Sequence, residues 1–518
     1  MGWTSTFIAA LRAPSQRWGA FLRWVGGGWG AAVGGPALFT SAAKLHPTAP
    51  AAITDPVTYQ GQGITLGTWA PSYGTLSVGL AGVAALRLAL TSIPKGSPVM
   101  LQLRPGGGFP TDVFLGQVQD ITGRLPDSQV VIWDIIAAMR SRWDSDLSTD
   151  TSQAFKPGNS QPLAANYSPG DTTLTFGSSG ALASFDRETG GTGLVLVTPS
   201  SGSPFYLTWT GKSGSTLTGV SAAGQRNTTA VGASIADQVQ GQVYITGHPM
   251  DIARKVMAST GTGANGAWDV LPASWGFGIS DAYIDHVDIS TWRALLSPSA
   301  GSYELRMIIE GPADDGLTAI QSLLSLAGVW MCQRQGRITV RAVVDITTAG
   351  GGGAPVAMSI DRTNVLEWVE FYQFDSSIAL EHYGVRVDYY QPSAFGGAAD
   401  ESSGAPATQP TGYRMTYDAT ALIGQNELNI ANDIAERIRP WACRRPSVGT
   451  MICTLDAARL VPGDVVSVTS PAYMDRQTVA DGRNSFVGRR GMVLTVNVNW
   501  TGGTVAVKVA FPMRAAVG

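Results

Sequence analysis

Charged side chains are scarce in this sequence. Asp, Glu, Lys and Arg make up 14% of its 518 residues, against roughly 25% in an ordinary soluble domain. A surface so poor in Lys and Glu is unusual for a free monomer and natural for a subunit buried in a larger assembly. The net charge is only −3, so no basic footprint marks a stable nucleic-acid partner. The three cysteines, Cys332, Cys443 and Cys453, form no CxxC pair. That spacing argues against a structural zinc or iron–sulfur site and reads as small buried apolar residues in a reduced, cytoplasmically made protein.

Histidine is equally sparse: His46, His248, His286 and His382 are all there are, and none stands at metal-ligand spacing such as HExxH. No GxSxG elbow is present. Gly211-Lys212-Ser213 lacks the earlier glycine and following helix of a phosphate loop and reads as a hairpin turn. Asp314-Asp315-Gly316 lacks the spaced ligands of a calcium loop and reads as a helix cap. No local pair of carboxylates marks a sugar-cleaving site. We therefore expect no catalytic residue, no cofactor and no bound metal. Long apolar runs are missing too. Between Met1 and Val33 the apolar stretches are short and interrupted by Arg12, Arg17 and Arg23, which excludes a spanning helix there. Trp18, Phe21, Leu22 and Val25 recur at helical spacing, and a short amphipathic helix is expected before Gly26.

What the chain has in abundance is glycine, 63 residues, within a hydrophobic fraction of 44%. Short strands joined by tight turns around real cores fit that balance. The length allows about three to five units. Five segments follow from the patterning. Residues 1–51 form an N-terminal segment. Residues 52–150 alternate at Leu76–Leu80, Val99–Leu103 and Val113–Val118, and close with Val130–Asp134. Residues 151–242 read as an inserted all-β module. Residues 243–350 are mixed α/β, with a helix opening at Pro249, a second from Leu317, and a hairpin turning at Gln335-Gly336. Residues 351–518 follow a Gly350–Gly353 joint, begin with strands at Val365–Phe371 and Tyr383–Tyr390, and contain a long polar loop at 391–412. Trp69, Trp133, Trp209, Trp330, Trp368 and Trp500 are all expected in strands, packed in cores.

The strongest local signature is Leu455-Asp456-Ala457-Ala458-Arg459-Leu460-Val461-Pro462-Gly463-Asp464-Val465-Val466-Ser467-Val468. Pro462 and Gly463 make a turn, and Val465, Val466 and Val468 a strand directly after it. A strand at 446–455 precedes it, and a hairpin at 490–510 turns around Thr501-Gly502-Gly503.

That stretch, after a helix ending in Ala435-Glu436-Arg437 and then Arg444-Arg445-Pro446, resembles the C-terminal part of tailed-bacteriophage baseplate hub proteins, the tail-tip family. Val113-Phe114-x-Gly116-x-Val118 followed by a strand ending in Asp134 is similar to the first tube-forming barrel of such hubs. His248-Pro249-x-Asp251-Ile252 is similar to another hub phrase. The run from Tyr206 through Trp209-Thr210-Gly211-Lys212 to Gly232-Ala233-x-Ile235 resembles a small β domain that recurs in phage tail and baseplate proteins. Arg226-Asn227 and Val231 replace the Arg-Gly pair and the His common in it. The resemblance implies a multidomain, β-rich α+β protein: two small antiparallel β-barrel tube domains (52–150 and 351–518), an α/β domain and an inserted all-β module. It implies a non-enzymatic virion protein at the tail tip, a homotrimer adapting tube symmetry. Its implied partners are the distal tail protein, the tape measure protein and the central fibre and receptor-binding proteins, with only transient passage of DNA through the lumen. The rival expectations are a carbohydrate-binding tip protein, with the inserted module meeting the host, and a cell-wall hydrolase.

Overall fold

The computed structural model describes residues 3–12, 18–24, 37–40, 53–81, 87, 95–96, 98–105, 111–123, 128–137, 155, 157–222, 231–296, 305–309, 316–344, 346, 354–373, 384–389, 396–401, 415–419, 423–424, 427–443, 446–474 and 485–512. The architecture is β-rich and mostly antiparallel, with few helices. One fourteen-stranded sheet dominates. Its path runs Ala37–Thr40, Trp18–Trp24, Pro98–Pro105, Thr111–Thr122, Gln129–Asp134, Thr75–Leu80, Ile53–Ile64, Ser485–Asn499, Thr504–Phe511, Ser447–Thr454, Val365–Gln373.

The strand Ser485–Asn499 is the joint. Its first half pairs with Val465–Met474, and its second half pairs with Ile53–Ile64 through Thr495↔Gly63, Val496↔Gln62 and Val498↔Tyr59. Thr504–Phe511 runs along its other edge. Bulges after Val493 and Val496 shift the register, and an extra residue of this kind bends a strand and increases its twist. The strands expected in 52–150 and in 351–518 are therefore continuous through main-chain hydrogen bonds. They also share one core, in which Val57, Leu76 and Phe114 join Val468, Val507 and Phe511.

The expected helix at Trp18–Val25 is not formed; Trp18–Trp24 is a strand lying between Pro98–Pro105 and Ala37–Thr40. Its apolar residues fit two periods, and the open edge of the neighbouring strand, with Ala20 and Leu22 buried on one face, decides for the strand. The helix lies earlier, at Ser5–Arg12, burying Phe7 and Leu11. The expected strand at Tyr383–Tyr390 exists as Gly384–Tyr389, but it does not enter the large sheet. It pairs with Gly396–Glu401 and, in parallel, with Met415–Ala419. Gly396–Glu401 lies inside the stretch expected to be a loop at 391–412. The Gly350–Gly353 joint lies outside the described residues.

A second layer packs on the first. The hairpin Val329–Arg334 and Arg337–Ala342 turns where expected, with Gln335 at φ 53° and Gly336 at φ 71°, the left-handed pair of a tight two-residue turn. The helices Pro249–Ala258, His286–Leu295, Gly316–Leu326 and Glu427–Cys443 surround it. The last runs six residues beyond the expected end at Arg437, through Pro440, because Arg437 donates to the carbonyls of Val343 (2.9 Å) and Ala327 (3.0 Å) and Trp441 to Val344 (3.2 Å). The expected boundary at 242 falls within the strand Gln238–Gly247. Its first half pairs with Gly193–Thr198 in the all-β module, and its second half with Leu305–Ile309.

The Pro462-Gly463 turn forms as expected: the Asp464 amide donates to the Val461 carbonyl at 3.0 Å, and Gly463 has φ +98°. A Cβ on Gly463 would sit 2.6 Å from Trp330 Cζ2 and 3.0 Å from Arg341 Cβ. Gly463→Ala is therefore expected to lower stability by about 2–4 kcal/mol, from the left-handed backbone and the clash together. Thermal denaturation checks it; an unchanged midpoint would show that the turn is not tightly seated.

Candidate functional site

The turn seats Asp464 against Arg341, which is wholly buried. Arg341 Nε donates to Asp464 Oδ1 at 2.8 Å, and Nη1 to Asp288 Oδ2 at 2.5 Å. Asp288 also accepts from Arg334 at 2.5 Å and from the Thr339 hydroxyl at 2.6 Å. The guanidinium of Arg341 stands 4.7 Å above the Trp292 ring. Burial alone would depress the pKa of Arg341, but the carboxylates of Asp464 and Asp288 outweigh it and raise it. Burial pushes Asp288 up, and Arg341 and Arg334 together bring it below the usual carboxylate range. Arg341 and Asp464 are closed to solvent, while Asp288 and Arg334 reach toward the surface; the group acts as a fastener between the helix His286–Leu295, the hairpin and the C-terminal strands.

A second buried polar group joins the first sheet to the same hairpin. Asp134 accepts from Tyr59 Oη (2.7 Å), Gln62 Nε2 (2.9 Å) and the Ile136 amide (2.8 Å). Gln62 also pairs with the backbone of Gln333, donating to its carbonyl (3.1 Å) and accepting from its amide (3.1 Å). Gln333 in turn pairs through its own side-chain amide with the backbone of Leu115. Each side-chain amide thus replaces a missing ladder partner. Burial pushes Asp134 up to about 6, against the pull of its hydrogen-bond donors. Neither Gln62 nor Gln333 carries a signal in the sequence, since an isolated Gln in a strand ordinarily reads as a solvent-facing position.

His248 caps the helix Pro249–Ala258. Its Nδ1 accepts from the Met250 amide (3.1 Å), and its Nε2 faces the Leu296 carbonyl (3.3 Å), the arrangement of a neutral ring protonated on Nε2. Burial depresses its pKa to about 4. Asp285 caps the helix His286–Leu295 by accepting from the Asp288 amide at 3.2 Å. This sends Asp288 to Arg341 and pairs His286 with Asp281 at 3.2 Å. His46, His382, Arg226-Asn227 and Asp314-Asp315 lie outside the described residues. Gly211–Ser213 is one arm of a hairpin, not a phosphate loop. Cys332 and Cys453 are free and buried. Among the described residues no group of three His, Cys, Asp or Glu side chains is placed to hold a metal ion, and no helix is long and apolar enough to cross a membrane.

Two surface features remain. The strand Val365–Gln373 has Ser447–Thr454 as its hydrogen-bonded neighbour and ends the path of the large sheet. Bulges at Leu366 and Val369 turn these side chains outward, 58% and 49% exposed, beside Tyr372 at 36%. Val365, Trp368 and Phe371 face the core instead. The other feature is a cleft of about 600 Å³ between the first sheet and the helix Gly316–Leu326, with Tyr73, Thr75 and Trp133 on one wall and Leu317, Gln321 and Ser322 on the other. Of the six tryptophans expected in strand cores, Trp209 and Trp330 fit. Trp69 and Trp500 are buried but lie in turns, while Trp133 and Trp368 are half-buried.

No family model matches the chain, and no curated protein does. Among solved structures it is similar to a chain of the crystal structure of prophage MuSo2, 43 kDa tail protein from Shewanella oneidensis. The match covers 96% of this chain and 99% of that one, with 11% identity and a TM-score of 0.37. It is also similar to a chain in the virion of a native gene transfer agent particle, over 46% of this chain and 84% of that one, with 14% identity and a TM-score of 0.19. Superpositions this loose establish neither a family nor a function for the chain.

Asp464→Ala leaves Arg341 buried with half of its compensation gone and is expected to cost about 3–5 kcal/mol, seen as a lowered thermal midpoint. For Asp134 the folded pKa is raised, so its contribution to stability is full below the unfolded pKa and is lost as pH rises from about 4 through about 6. The difference in stability between the protein and its Asp134→Asn variant should shift on the order of 2 kcal/mol across that window. A pH-independent difference would mean that Asp134 is not titrating there.

Proposed function

We propose that the chain is a structural virion subunit, the baseplate hub at the distal end of a phage tail tube. The observation that carries this is the end of the large sheet, open among the described residues. The nine residues Val365–Gln373 form an edge strand that presents Leu366, Val369 and Tyr372 outward. A free edge with apolar side chains is an aggregation hazard in a monomer and a ready-made interface in an assembly. The low charge of the whole sequence favours the assembly. The resemblance of Ala435–Arg437, Arg444–Pro446 and Leu455–Val468, of 113–134 and of 206–235 to hub and tail proteins supports a phage tail as that assembly.

In this reading residues 52–150 and 351–518 are two tube-type barrel units, fused edge to edge through Ser485–Asn499. Three copies supply six such units, and a closed ring of them removes the open edges. The work is mechanical: the ring continues the tail tube, adapts its symmetry, and couples the tape measure protein within and the distal tail protein outside to the fibres and receptor-binding proteins. The ionic fastener at Arg341 and the amide pairs at Gln62 and Gln333 suit that work, since they keep the two units and the α/β layer in one rigid frame.

The purified chain is expected to run as a trimer in light scattering. Leu366→Glu together with Val369→Glu should yield folded monomers with an unchanged far-UV circular dichroism spectrum, because both side chains are exposed in the single chain, and a midpoint lowered only by the loss of subunit binding. A monomeric wild-type chain, or a trimer indifferent to both changes, overturns the assignment of the edge. Immunogold labelling of particles from the source strain should place the chain at the tail tip.

A further inference from the structure

The cleft beside Trp133 is not accounted for by a purely mechanical role. We propose that it is a binding site for a short neutral saccharide. Its size, about 600 Å³, lies in the range of small-ligand sites, roughly 300–1,000 Å³. Among the described residues that line it there is no Asp, Glu, Lys, Arg or His, so a charged ligand would enter without a counter-charge and with the penalty of lost hydration. The walls combine two half-buried aromatic rings, Trp133 and Tyr73, with the hydroxyls of Thr75 and Ser322. Aromatic faces take the apolar C–H face of a sugar ring, and hydroxyl oxygens meet its hydroxyls; Ser322 donates to the Thr318 carbonyl and keeps its acceptor capacity for the ligand.

The polar wall is held in place. Gln321 Oε1 accepts from the Met331 amide (3.1 Å) and from Tyr73 Oη (3.3 Å), and its Nε2 donates to the Val329 carbonyl (3.2 Å). The Tyr73 ring and the helix Gly316–Leu326 are thereby fixed to each other across the cleft, so the site is preformed and loses little freedom when filled. Trp133 projects from the strand Gln129–Asp134, whose neighbouring side chains Ile132 and Asp134 point into the buried interior. The cleft lies outside the module at 151–242, where the rival carbohydrate-binding reading placed contact with the host. It does not depend on the hub reading.

The test uses the full chain and three neutral trisaccharides: triacetylchitotriose, cellotriose and maltotriose. Binding is read by tryptophan fluorescence and saturation-transfer NMR at low and high salt. At least one should bind in the millimolar range or tighter, with no dependence on salt. Ser322→Trp, placed on the exposed side of the helix, should weaken binding about tenfold or more without moving the thermal midpoint. Trp133→Phe should retain part of the affinity that Trp133→Ala loses. No binding by any of the three overturns the proposal, as does binding indifferent to both Ser322→Trp and Trp133→Ala. An affinity that falls as salt rises overturns it as well and points to a charged ligand. Light scattering on the same samples reports the assembly separately, so loss of sugar binding with an intact trimer leaves the hub reading standing.

Discussion

Arg341 and Asp464 come from segments 123 residues apart and meet in a part of the molecule that water does not reach. The Pro462-Gly463 turn brings the carboxylate there. Because Gly463 has no side chain, the turn lies flat on Trp330 and on the aliphatic part of Arg341. Asp288 and Arg334 extend the contact to the helix His286–Leu295 and to the outer end of the hairpin. A buried ion pair of this kind adds little net stability over an apolar substitute, but it tolerates no mispairing, since any other arrangement leaves a charge without a partner. In a chain assembled from several segments, that intolerance fixes how the α/β layer is set against the C-terminal strands.

The same layer is tied to the N-terminal strands by a different chemistry. Gln62, Gln333 and Asp134 exchange hydrogen bonds with backbone and side-chain groups and carry at most one charge among them. Together the two contacts hold the hairpin Val329–Ala342 to both halves of the large sheet. The sheet itself is continuous through Ser485–Asn499, so the two halves are joined twice: through main-chain pairing at one face, and through the hairpin at the other. At the end of the described sheet, Val365–Gln373 exposes the apolar side chains that the proposed ring would cover.

Much of this was legible along the chain. The turn at Pro462-Gly463, the hairpins at Gln335-Gly336 and Thr501–Gly503 and the helix opening at Pro249 all rest on local chemistry, and all stand where that chemistry puts them. Failures came where neighbours outvote local pattern. Trp18–Trp24 carries apolar residues that satisfy both a helical and a strand period, and only the available edge of Pro98–Pro105 chooses between them. Trp133 looks like a core residue in a one-dimensional pattern; that it lines a cleft depends on a helix almost two hundred residues away.

What the amino-acid sequence determined by itself is the class of the protein: a β-rich chain, poor in charge and lacking the spacings that metal and nucleophile chemistry require. These are properties of composition and of near neighbours, which every conformation shares. The tertiary structure alone decided that the strands of the two expected barrels join into one sheet, that Asp288 serves Arg341, which strand ends the described sheet, and where a cleft forms. Each of these depends on which distant groups meet after burial, and the free energy of a buried charge or an unpaired strand edge is set by that encounter and not by the residues that flank it.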